Sequence, residues 1–179
     1  MNFITVHYLN IILGLGAIVL QVLSVFTLIL LFFAAKKSNK FLEYIESHFI
    51  LIGFLIALLS SLFSLVYSEV LHFLPCELCW LQRIFIFPQV FLFGVALWNK
   101  DRKVIRYALP LLCVGFLISV YQNFIYYFGN SNTICDTSGV SCFQHLVSEF
   151  GGYISIPMLS LTSFFVLLTL LLIANFNQK

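Results

Sequence analysis

Two cysteines, separated by two residues, stand where an apolar stretch of the chain begins. Cys76 and Cys79 lie in the sequence LPCELCWLQR, residues 74–83. Pro75 suits the first position of a helix, and both cysteines would then occupy the first turn, where unpaired N–H groups and the helix dipole favour a thiolate. Arg83 follows Cys79 by four residues, so its charge lies on the same helix face and favours the same anion. The segment predicts a redox-active dithiol.

The surroundings of this pair allow two interpretations. Arg83 could bind the anion of a reduced cofactor, and Trp80 and Phe85 offer flat apolar surface beside it. Alternatively, the pair is a structural disulfide at a helix end, with Arg83 extending to the lipid head groups. A bridge that closes so few residues restrains the unfolded chain little, which favours a redox role.

A second pair, Cys135 and Cys142, lies in the longest polar loop, residues 129–152. Apolar residues recur at helical spacing over residues 141–150, which predicts a short amphipathic helix lying flat on the membrane surface. Cys142 would occupy the first turn of that helix, and Cys135 lies among small polar residues where a partner protein could reach it. A plain structural disulfide explains this pair equally well.

Zinc is another interpretation, since the four cysteines with His72 or His145 are ligands of the kinds that zinc uses. An exported location favours disulfides instead, and the second pair lacks tight ligand spacing. We therefore expect no metal site. Cys113 lies within an apolar stretch and is expected to be buried and inert.

Lipid is the expected solvent for most of this chain. Of its 179 residues, 61% are hydrophobic and 9% are charged. The mean hydropathy is +1.05, which is too apolar for a soluble domain of this length. The formal net charge is only +2, and no nucleic-acid partner is expected.

Five apolar stretches are long enough to cross a hydrocarbon layer of about 30 Å. They are residues 9–35, 48–67, 81–98, 107–128 and 153–174. The first has no basic residue before it and exceeds a signal-peptide core in length, so we predict a retained span. The polar residues 36–47 are predicted to form a short connector.

The positions of the basic residues predict the topology. Apart from Arg83, all of them fall on one side of five spans: Lys36, Lys37, Lys40, Lys100, Arg102, Lys103, Arg106 and Lys179. Basic loops stay in the cytoplasm, so both cysteine pairs are expected on the extracytoplasmic side. There, two dithiol pairs on one membrane face suggest an electron relay by thiol–disulfide exchange.

Such a relay needs an electron acceptor. Strongly oxidising thioredoxin-like proteins have potentials near about −120 mV, so reoxidising one requires an acceptor of higher potential. The sequence shows no haem motif or flavin fingerprint. A lipid-soluble quinone at the outer end of the third span is the expected acceptor.

PCELCWLQR, the exported cysteine pair and the later run SIPMLSLTSF together resemble the DsbB/BdbC family of bacterial disulfide-bond formation proteins. The resemblance implies an all-α four-helix transmembrane bundle in the bacterial inner (plasma) membrane. It also implies that ubiquinone or menaquinone is used to reoxidise a DsbA-like thioredoxin-fold protein. Residues 1–47 would add one N-terminal transmembrane helix and a connector to a redox domain of residues 48–179.

The same resemblance implies roles for individual residues. Cys76 and Cys79 match the family's quinone-coupled pair, with Cys79 facing the quinone, and Arg83 matches its quinone-side arginine. Cys135 would be attacked by the partner's thiol, and Cys142 would be its resolving mate. Their short spacing is that of the BdbC branch and leaves the order of attack open.

Two other functions remain open from the sequence. A non-catalytic membrane protein with two exported structural disulfides would bind no quinone and would resist mild reductant. A relay resembling vitamin K epoxide reductase would be expected to carry its CxxC near a late span, whereas this CxxC lies between the second and third spans.

Overall fold

The computed structural model describes residues 3–33, 40–128 and 153–176. Its helices are α1 (Phe3–Phe33), α2 (Lys40–Leu65), α3 (Glu77–Asn99), α4 (Val104–Phe128) and α5 (Ile156–Phe176), with a π-helical turn, Val66–Val70, directly after α2. Within these residues, five helices are long and apolar enough to cross a membrane. The predicted all-α class and the five predicted spans are confirmed to that extent.

Four of the helices contact one another in a ring. α2 packs against α3, α3 against α4, α4 against α5, and α5 against α2, while α1 packs against α5. The centre of the ring is filled by almost fully buried apolar side chains: Phe49, Phe93, Leu112, Phe164 and Leu167. Large apolar side chains such as Phe91 and Leu117 are exposed on the outside, which suits a protein surrounded by lipid.

The helix α2 begins earlier than the sequence pattern predicts. Residues 36–47 were expected to form a connector, but α2 already begins at Lys40. Its first turns bury Leu42, Ile45 and Phe49 at helical spacing and expose polar residues between them. The polar residues of this segment therefore mark the limit of the apolar stretch, but the helix extends through them toward the N-terminus, as far as Lys40.

One ion pair connects two of the basic segments. Arg102 Nη2 lies 2.8 Å from Glu46 Oε1, which joins the start of α2 to the turn between α3 and α4. These two segments therefore lie at the same end of the bundle. Cys76 and Glu77 lie at the other end of α3. The amphipathic helix predicted at residues 141–150 falls outside the described residues.

We expect Gly115→Ala to destabilise the fold. A Cβ at position 115 would overlap the ring of Phe164, which is fully buried. Overpacking of this kind costs about 1–3 kcal/mol. Thermal unfolding of the purified protein in detergent measures the effect. Gly94→Ala is the matched control, because its Cβ would meet Phe54 at an ordinary 3.4 Å. Equal unfolding temperatures for the two variants would contradict the packing argument.

Candidate redox site

The CxxC segment forms the start of α3. Cys76 is the N-cap residue, with φ −72° and ψ 169°, and the helix begins at Glu77. The carbonyl of Cys76 accepts a hydrogen bond from the N–H of Trp80 at 3.1 Å. The prediction that Pro75 opens the helix with both cysteines in its first turn is therefore wrong by two residues. Only Cys79 lies in that turn, because the first carbonyl of the helical ladder belongs to Cys76.

The two sulfurs of this segment are close neighbours. Cys76 Sγ and Cys79 Sγ lie 2.8 Å apart. Cys76 is buried and Cys79 is half-buried. Because the bond in a disulfide is about 2.05 Å long, the pair can open and close with small side-chain movements. The helix start therefore holds one dithiol in a geometry suited to redox exchange.

A glutamine from α4 contacts both sulfurs. Gln122 Nε2 lies 3.4 Å from Cys76 Sγ and 3.3 Å from Cys79 Sγ. Gln82 Nε2 donates to Gln122 Oε1 at 2.6 Å, which directs the Gln122 amino group toward the sulfurs. Both glutamines are buried. Because N–H donors bond more strongly to an anion than to a neutral group, this arrangement favours a thiolate.

Arg83 lies one turn beyond Cys79 and is only 7% exposed. Its Nε donates to Ser64 Oγ at 2.9 Å, and its Nη2 donates to the Ser64 carbonyl oxygen at 2.8 Å. The guanidinium carbon lies 5.1 Å from the centre of the Trp80 ring. In the described part of the chain, no carboxylate forms an ion pair with Arg83. The side chain is thus turned into the bundle.

Cys79 and Arg83 line one cavity of about 370 Å³. Its walls come from all five helices, the π-helical turn and the segment before α3. Polar side chains on the walls include Ser60, Ser64, Gln82, Gln122 and Ser163, among a majority of apolar residues such as Ile56, Phe63 and Ile86. Mostly apolar walls with a few polar groups are typical of small-molecule sites.

Trp80 lies over the Arg83 guanidinium, as the sequence predicts, although it is 55% exposed and does not line the cavity. Two other sequence expectations need correction. Phe85 packs against the apolar core and does not line the cavity. Cys113 was expected to be buried, but it is exposed on the outer face of α4. Both faces of a membrane helix are apolar, so hydropathy does not distinguish a core position from a lipid-facing one.

Sequence reasoning missed Gln122 and Ser64. Both are polar residues within apolar spans, where such side chains are uncommon and often functional. That signal could have marked them as candidates. Their partners on α3 become visible only once the packing of α2, α3 and α4 is known.

The second cysteine pair, Cys135 and Cys142, lies outside the described residues, as does His145. Within residues 3–33, 40–128 and 153–176, no cluster of three or more His, Cys, Asp or Glu side chains is placed to hold a metal ion.

Comparison with known proteins places the chain in a family. The family model "Disulfide bond formation protein DsbB" matches residues 46–174. The chain belongs to the DsbB family. DsbB-family membership makes it a membrane thiol–disulfide oxidoreductase of disulfide-bond formation. The match includes Cys76, Cys79 and Arg83, and it begins after α1 has ended.

Individual relatives agree with this assignment. "Probable disulfide formation protein C 2" of Bacillus cereus is 41% identical over 135 residues, which are 75% of this chain and 96% of the relative. "Disulfide bond formation protein C" of Bacillus subtilis is 36% identical over 125 residues, 67% of this chain and 87% of the relative. No solved structure gives a significant match.

We expect Gln122→Leu to slow alkylation of reduced Cys79 at neutral pH, because the variant loses an N–H donor to the thiolate. A hydrogen bond to a charged group contributes about 1.5–3 kcal/mol. The rate, measured by peptide mass spectrometry with iodoacetamide, should fall about tenfold.

The control for this variant is Gln89→Leu. Gln89 is equally buried on α3, but its described hydrogen bond goes to the carbonyl oxygen of Phe85. Its replacement should leave the alkylation rate of Cys79 unchanged. An unchanged rate in Gln122→Leu itself would show that Gln122 does not stabilise the anion.

Proposed function

We propose that this protein is a quinone-dependent thiol oxidase that reoxidises an extracytoplasmic DsbA-type protein of thioredoxin fold. The observation that carries the proposal is that Cys79 and Arg83 line the same mainly apolar cavity. This cavity lies between helices that are long and apolar enough to cross a membrane. An acceptor dissolved in lipid can enter such a site from within the bilayer.

The residues around the cavity suit a quinone, either ubiquinone or menaquinone. A quinone has a flat apolar ring and two oxygens that gain negative charge on reduction. Arg83 carries five N–H donors. Its described contacts to Ser64 involve Nε and Nη2. Donors therefore remain for a ligand oxygen, and the apolar walls suit the ring and its isoprenoid chain.

Each residue of the site has a defined task in this proposal. A bound quinone supplies the capacity to take up two electrons and two protons, leaving as quinol. Cys79 faces the cavity as a thiolate, held by the N–H group of Gln122 and the charge of Arg83. Cys76, whose sulfur lies 2.8 Å from that of Cys79, re-forms the bridge between them. The two electrons and two protons come from the partner's dithiol, which becomes a disulfide.

The second pair completes the route in this proposal. Cys135 receives the attack of the partner's thiol, Cys142 resolves the mixed disulfide, and the electrons pass to the Cys76–Cys79 bridge. Residues 141–150 hold Cys142 at the membrane surface as an amphipathic helix. The helices α2–α5, which begin at Lys40, form the DsbB-like bundle in this proposal, and α1 contributes one additional span.

The proposed location is the bacterial plasma membrane, with both cysteine pairs outside the cytoplasm. Its support is that the Glu46–Arg102 ion pair joins two basic segments at one end of the bundle, whereas Cys76 lies at the opposite end of α3. Basic segments remain on the cytoplasmic side.

Cys79→Ser should abolish reoxidation of a reduced DsbA-type partner, because the quinone-facing sulfur is lost, while the bundle remains folded. Thiol trapping of the partner in the presence of excess quinone follows the reaction. Cys113→Ser is the matched control, since Cys113 is an exposed cysteine on α4 and should be dispensable.

A second readout separates catalysis from a structural bridge. Thermal unfolding of Cys79→Ser should resemble that of the unmodified protein, because a bridge over so short a loop adds little stability. Full turnover together with a clear loss of stability would instead identify a non-catalytic protein with structural disulfides.

A further inference from the structure

The helix α1 forms one wall of the cavity that contains Cys79 and Arg83. The wall residues on α1 are Ile12, Leu13, Gly16, Ala17 and Leu20. The DsbB family match begins at residue 46, so this wall lies outside it. The Bacillus cereus relative is aligned over 96% of its own length, which corresponds to only 75% of this chain. The cavity wall that α1 forms therefore lies outside the part of the chain that the family model covers.

Residues on one face of α1, most of them small or polar, pack against the bundle. The buried positions of this face are three, four or seven residues apart: Asn10, Gly14, Ala17, Ser24, Thr27 and Leu31. Small residues at this spacing let two membrane helices approach closely, which compensates for the absence of a hydrophobic driving force in lipid. The most extensive contacts of α1 are with α5, which also packs against α2 and α4.

Hydrogen bonds connect α1 to other residues around the cavity. Gln21 Nε2 donates to Thr162 Oγ1 at 2.6 Å, and Tyr153 OH donates to Gln21 Oε1 at 2.9 Å. Nearer the start of α1, Tyr67 OH donates to Asn10 Oδ1 at 2.6 Å. Thr162 and Tyr67 themselves line the cavity. Because unpaired polar groups are costly in hydrocarbon, these bonds hold α1 in one position.

We propose that α1 is part of the quinone-binding site and that Gly16 sets the width of the space left for the ligand. This inference rests on the proposed function. A Cβ at Gly16 would meet no heavy atom within 4 Å, although Gly16 lines the cavity. A side chain at this position therefore begins in open space beside the cavity, and its added volume is expected to reduce the space left for the ligand. Leu20, about one turn further along α1, lies on the same wall.

The test compares Gly16→Leu with the unmodified full-length protein. The probe is a ubiquinone analogue with a single isoprene unit, and a reduced thioredoxin-fold dithiol protein supplies the electrons. We expect the KM for the analogue to rise about tenfold or more, since a few carbon atoms in an apolar pocket have effects of this size. The KM for the dithiol protein should not change, because its site is elsewhere. The amount of quinone that copurifies with the variant should fall in parallel.

Two further variants make the result specific. Leu20→Trp also adds volume to this wall and should raise the same KM, which keeps the test valid if Gly16→Leu does not fold. Val22→Phe adds bulk on the outer face of α1, where Val22 is 64% exposed and does not line the cavity. It should behave as the unmodified protein does.

The outcomes distinguish this inference from the function on which it rests. If the unmodified protein reduces the analogue and both wall variants keep its KM within about twofold, α1 is not part of the site, while the proposed function stands. An equal effect of Val22→Phe would also overturn the inference, since the cause would then be a general disturbance of α1. If the unmodified protein reduces no quinone, the proposed function and the inference both fail.

Discussion

Arg83 brings a permanent positive charge into an apolar bundle, and the geometry of the site follows from what that charge requires. A guanidinium does not lose its proton in a protein, and an unpaired buried ion costs several kcal/mol. Ser64 provides two oxygens and Trp80 provides a ring face. In the region that the structure covers, no carboxylate lies within ion-pair distance of the guanidinium. A sulfur anion at Cys79 and an oxygen of a bound ligand would each neutralise the charge, and the cavity brings both within reach of one cation.

Two further features make this charge useful. The buried pair formed by Gln82 and Gln122 connects α3 with α4 and presents N–H groups to the two sulfurs, so that the dithiol and the cation belong to one polar cluster in an apolar surrounding. The additional helix α1 then bounds the cavity on the side that the family match does not include. The two sulfurs and the cation thus lie within the family match, whereas the cavity is also bounded by residues of α1 outside that match.

The sequence predicts this site where the relations are local. Cys79 and Arg83 share a helix face because of their spacing, and hydropathy alone identifies the five spans. Gln122 escaped prediction because contact between α4 and α3 depends on how the two helices rotate against each other. Cys113 was misassigned for a related reason: lipid and core are both apolar, so composition does not reveal which side a residue faces. The predicted start of α2 was too late along the chain. Polar residues mark the limit of an apolar stretch, but the helix continues through them.

The central claim is that electrons leave this dithiol for a quinone. The direct measurement is anaerobic incubation of the purified protein with a reduced thioredoxin-fold partner and a short-chain quinone, following quinol absorbance and partner thiols together. The account predicts one quinol formed for each partner disulfide, with no other oxidant present. Partner oxidation without quinol formation, or a partner that stays reduced in the presence of excess quinone, would contradict it.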